Sequence, residues 1–171
     1  MPFMTNARIA GFAFLFYIAA GIGGMAVARV PHAGEALGLF TSLSAVVLGV
    51  TLYAITRGAG RDIALLGLAC RIVEAGPGDG SFFFAVASTA FAWLLLRGQM
   101  VPPALAWLGI MASILLVAII PLQQFGLFGG PMNWSSMATW IAWLPMLVYE
   151  LSLGLWLLIK GATPPVAAAE G

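Results

Sequence analysis

Charge is what this chain has least of. Seven Lys or Arg and six Asp or Glu make up 8% of its 171 residues, against about 25% in soluble globular domains. A water-facing surface cannot be built from so few charges. The formal net charge of +1 also leaves no basic face for nucleic acid. The single Cys70 excludes an internal disulfide and a thiolate metal cluster. His32 is the one histidine, which excludes a bis-histidine haem or a multi-histidine metal site within one chain, and leaves any Ser/His/Asp or Cys/His set dependent on a loop residue. Lys160 is the one lysine and stands where an apolar run ends, so no buried lysine is available for Schiff-base chemistry. No metal or organic cofactor is expected.

What the chain has is apolar length: 62% of its residues are hydrophobic, and a bilayer-crossing helix needs about 20. The expectation is an all-α polytopic integral membrane protein with six transmembrane helices in one domain, residues 1–160. The spans fall near 9–29, 36–56, 61–76, 81–97, 104–121 and 137–159, with residues 161–171 as a disordered cytoplasmic tail. The first run also resembles a signal peptide, since Arg8 precedes it and Ala26-Val27-Ala28 resembles a cleavage site. Its length exceeds an ordinary signal core, and Ala20, Gly24 and Ala28 repeat every four residues like a helix-packing face. The third and fourth segments are short, about 24 Å of helix each against a core about 30 Å thick. Pro102-Pro103 suits the start of the fifth, and Pro145 should kink the sixth.

Six spans place Arg8, Arg57, Arg61, Arg97 and Lys160 at one face and leave only Arg29 among loop cations at the other. The positive-inside rule then puts both termini in the cytoplasm. Trp93, Trp107 and Trp156 fall toward the inner interface, Trp134 and Trp140 toward the outer.

Three charges lie inside the apolar segments: Arg71, Glu74 and Glu150. Each costs about 2.5–3.5 kcal/mol on insertion scales, so such groups are paired and often functional. Arg71 is ten residues from Arg61, and Glu150 is ten from Lys160. Both therefore lie about 15 Å from the cation-rich face, near the midplane. Glu74 follows Arg71 by three residues on the same helix face. An Arg71–Glu150 ion pair is expected, with Glu74 as second acceptor, bringing the third helix against the sixth. Two readings remain open: a buried clamp that fixes helix register, or a polar site in a protein-lined cavity with the Gly76-Pro77-Gly78-Asp79-Gly80 turn as its outer mouth. One surplus carboxylate favours a proton, a small cation or an amine as visitor. Cys70 reads as packing, and the glycine-rich turn as a tight connection rather than an anion nest. Ile72-Val73-Glu74 and Val148-Tyr149-Glu150 each end a three-helix half, an arrangement found in inverted-repeat transporters.

Arg8-Ile9-Ala10-Gly11, Leu65–Glu74, Leu94–Arg97 with Val101-Pro102 and Leu105–Gly109, Pro145, Glu150–Trp156 and Lys160-Gly161 are the segments in which the chain resembles the domain-of-unknown-function 4386 family of small bacterial multi-span membrane proteins. The resemblance implies a multi-span inner-membrane protein and brings no activity; members of the family are longer between the third and fourth spans. The partners expected are the lipid bilayer, a small ligand or proton, and a homo-oligomer or larger membrane complex. The leading function is binding or moving that ligand at the Arg71/Glu74/Glu150 cluster. The alternative is a structural or accessory subunit, and a membrane enzyme is disfavoured for want of a nucleophile or metal site.

Overall fold

The computed structural model describes residues 2–27, 30, 32–130, 133–134 and 136–165. Six α-helices run through them: α1 (Pro2–Ala26), α2 (Ala33–Thr56), α3 (Arg61–Glu74), α4 (Ser81–Arg97), α5 (Pro103–Gln124) and α6 (Met137–Ile159). A short 3-10 turn, Leu127–Gly129, follows α5. Four of the helices, α1, α2, α5 and α6, are long and apolar enough to cross a bilayer, while α4 is apolar but shorter. These are the helices of a membrane protein.

The breaks lie where backbone chemistry demands them. Pro103 opens α5 at a position whose missing N–H has no partner in any helix. The turn after α5 uses Gly126 and Gly130 at φ 84° and 82°, a region open to glycine and costly for other residues. α1 begins at Pro2, two turns before its apolar run, and carries Arg8 within its first half. Ala28 and Arg29, the end of the expected first span and its outer cation, lie outside the described residues. His32 precedes α2 with an exposed side chain 3.5 Å from Glu35. Cys70 is buried among apolar neighbours.

Each helix packs on its sequence neighbours, and α6 returns onto α1, so the six close into a ring; α2 also touches α4. Glycines set the closest crossings. A Cβ at Gly11 would stand 2.5 Å from the backbone nitrogen of Leu158 and 2.6 Å from the carbonyl oxygen of Gly154, so the α1–α6 seam is backbone against backbone. Gly67 makes room for the Phe91 ring of α4, and Gly49 for the base of Arg71.

One end of the ring gathers the termini and links nearest Arg8, Arg57, Arg61, Arg97 and Lys160, and it is tightly closed. Gly60 lies beneath Leu94, and Gly98 lies against Ala59 and Met100. The segment after α6 is docked there as well, which corrects the disordered tail expected from residue 161. Ala162 is buried, the Thr163 N–H donates to the Met100 carbonyl at 3.0 Å, and the Thr163 hydroxyl donates to that of Gln99 at 2.7 Å. Backbone groups of the 98–102 link, which has no helix of its own, bind this segment. Residues 166–171 lie outside the described ones.

Candidate functional site

The site forms where polar side chains from four helices enter the ring at one level. Arg71 projects inward from α3 with 1% of its side chain exposed. Its Nη1 donates to both oxygens of Glu74, at 3.2 and 3.0 Å, so the i,i+3 spacing makes a two-pronged pair on one helix. Nη2 donates to Ser88 Oγ of α4 at 3.4 Å and comes within 3.9 Å of Glu150 Oε1 of α6. That Glu150 oxygen is buried and receives no hydrogen bond, as does the Arg71 Nε–H in the opposite sense. Tyr17 of α1 donates to Glu74 Oε1 at 2.9 Å. The guanidinium lies 4.8 Å from the Phe84 ring centroid and 5.9 Å from that of Tyr17, within cation–π range.

Arg71, Glu74 and Glu150 therefore do meet, and the expected Arg71–Glu150 ion pair is present at 3.9 Å, but it is Glu74, expected as second acceptor, that takes the hydrogen bonds. The expected packing of α3 on α6 is corrected too. They are not ring neighbours, and their long side chains reach each other across the interior. α6 continues as one helix through Pro145. The carbonyl that this proline leaves without its i+4 donor is that of Ile141, more than two turns from Glu150 and on an exposed residue.

Two adjoining cavities reach the cluster from the end opposite the cations. The smaller, about 240 Å³, is lined by Glu74, Gly78, Asp79, Gly80 and Ser81 among others. Gly76 and Pro77 of the expected mouth do not line it. Gly80 lets this link fold back, since a Cβ there would stand 2.6 Å from the Glu74 carbonyl oxygen. Asp79 anchors it: one carboxylate oxygen accepts the Ser81 N–H at 3.0 Å, the other the Gln124 amide at 3.3 Å. The larger cavity, about 380 Å³, lies along the α1–α6 seam and is floored by Glu150. Tyr17, Thr41, Ser81, Phe84 and Trp143 line both.

Five aromatic rings run from the cluster toward that open end. Tyr17 stacks on Phe84 at 6.3 Å, Phe84 on Trp143 at 5.6 Å, Trp143 meets Trp134 at 5.7 Å, and Trp134 meets Trp140 at 5.3 Å. The indole N–H of Trp140 donates to the Trp134 carbonyl at 2.8 Å, whereas the buried N–H of Trp143 has no hydrogen-bond partner among the described residues.

Sequence reasoning missed Tyr17, Phe84, Ser88 and Trp143. A signal existed for two of them. Tyr17 lies nine residues from Arg8 and Ser88 nine from Arg97, the same depth that singled out Arg71 and Glu150.

Residues 79–161 match the family described as Domain of unknown function (DUF4386), the family that the sequence resembles. The match spans α4 to α6 with Asp79, Phe84, Ser88, Trp143 and Glu150, and leaves Tyr17, Arg71 and Glu74 outside it. No curated protein and no solved structure matches the chain.

Proposed function

We propose that the chain is a six-span bacterial inner-membrane protein, with both termini cytoplasmic, that binds a small ligand at the Arg71/Glu74/Glu150 cluster through a cavity opening on the outer face. The observation that carries this reading is Glu150. Its side chain is 6% exposed, it floors a cavity of about 380 Å³, and one of its oxygens lacks a hydrogen bond. That oxygen, Oε1, is the one held 3.9 Å from Arg71 Nη2, and a tight clamp would close this gap to a hydrogen bond, because a buried acceptor left unmade costs about 1–3 kcal/mol. The cation-rich end supports the orientation, cations favouring the cytoplasmic side. The short third and fourth helices, about 21 and 26 Å long, fit a ring whose outer end is hollow there.

The test is native mass spectrometry of the full chain, tagged after Gly171 and extracted gently from its own membrane. A small adduct on the wild type, absent from a folded Glu150→Gln variant, is the expected result. An adduct retained undiminished by the variant would remove Glu150 from the site. A foreign chain at fixed stoichiometry, with no small adduct, would make the accessory-subunit reading the better one.

A further inference from the structure

We propose that the ligand is an amphiphilic monovalent cation, an ammonium or similar onium centre on an apolar or aromatic body, held by the aromatic column with Glu150 as its counter-charge. This deepens the reading above and rests on it.

The sign comes from which charges reach the walls. Glu74 and Asp79 line the smaller cavity and Glu150 the larger, while neither is lined by a Lys, Arg or His among the described residues. Arg71 sits behind them. Its Nη1 is engaged by Glu74, and Phe84 and Tyr17 lie against its guanidinium. An anion entering from the open end would meet carboxylates first and could not approach the guanidinium without displacing them. A cation meets Glu150, which lines the larger cavity and whose ion pair with Arg71 is stretched to 3.9 Å without a hydrogen bond.

The body of the ligand comes from the walls. The larger cavity is within the range of small-molecule sites, about 300–1,000 Å³. Its lining is mainly aromatic and aliphatic, with Glu150 as its one carboxylate. A bare calcium or magnesium ion takes six or more oxygen ligands, and this wall lacks them. The faces of Trp143, Trp134 and Trp140 are electron-rich and attract an organic cation while burying its apolar part. Ile22, Met25 and Leu144 at the α1–α6 seam are about half exposed and also line this cavity, so in the proposed bilayer setting an amphiphile can enter with its apolar part in lipid.

The experiment uses the full chain in zwitterionic-lipid nanodiscs and three probes of one size. Benzyltrimethylammonium is the cation, neopentylbenzene its neutral carbon isostere, and benzenesulfonate the anion. Binding is read by tryptophan fluorescence and by adduct mass. The cation should bind saturably and roughly tenfold more tightly than the isostere, with no saturable binding of the anion. Glu150→Gln should abolish most of that preference and leave the isostere unchanged. If this variant does not fold, Trp143→Leu should narrow the preference, since it removes a ring face and no charge. Equal affinity for cation and isostere, or preference for benzenesulfonate, overturns the cationic class while leaving a ligand site. Saturable binding of none of the three overturns both readings.

Discussion

Arg71 donates twice to Glu74 and only approaches Glu150, and that asymmetry separates a clamp from a site. Breaking a buried pair by removing one partner costs about 3–5 kcal/mol, so Arg71→Met should destabilise the chain by about that amount in thermal unfolding followed by tryptophan fluorescence. Glu74→Gln should cost more than Glu150→Gln, whose loss should stay under about 1.5 kcal/mol because no hydrogen bond between Arg71 and Glu150 is broken. Equal losses at the two glutamates would point to a three-member clamp. Tyr17→Phe removes the hydroxyl that donates to Glu74 and should cost about 1.5–3 kcal/mol, the range for a hydrogen bond to a charged group. Arg71, Glu74 and Glu150 were legible because a charge in an apolar run carries an insertion cost that sequence alone exposes. Tyr17 and Ser88 were not noticed at the same depth, because neutral side chains carry no such cost.

At the scale of the helices, the α1–α6 seam decides whether the ring closes. Gly11 faces the backbone of α6, which cannot yield, while Gly21 on the same helix has open space around it. Gly11→Ala should therefore destabilise by about 1–3 kcal/mol or more. Gly21→Ala should be neutral or stabilising by up to about 1 kcal/mol from helix propensity. Melting curves of the two variants, prepared side by side, check the contrast; similar shifts would mean that the seam is not a backbone contact. The helix positions followed from apolar runs and Gly/Pro breaks, which act locally. The seam did not, since many small residues line α1 and only the partner helix selects Gly11 among them.

For the whole molecule, the proposed topology puts the 75–80 link and the turn after α5 on one side of the membrane and the 98–102 link on the other. In a Cys70→Ala background, Asp79→Cys and Phe125→Cys should react with an impermeant maleimide added outside intact cells. Gln99→Cys should react only after the inner face is opened. Reaction of all three from the same side would show that α4 and α5 do not cross. The closed cation-rich end and the hollow opposite end together give the molecule a polarity in which the aromatic column and the three wall carboxylates lie toward the end away from the cations.

The sequence by itself determined that this is a helical membrane protein, where its helices break, which three charges lie inside its apolar segments, and that two of them, Arg71 and Glu150, lie at one depth. All of these depend on local composition and on a rise of about 1.5 Å per residue. Only the tertiary structure decided that Glu74 rather than Glu150 satisfies Arg71, that residues 161–165 dock on the 98–102 link, and that five rings from α1, α4, α6 and the approach to α6 line up beside an under-bonded carboxylate. Those outcomes depend on which helices become neighbours and how far side chains reach across the ring. Backbone contacts such as Gly11 against Gly154 fix that arrangement between residues far apart in the chain.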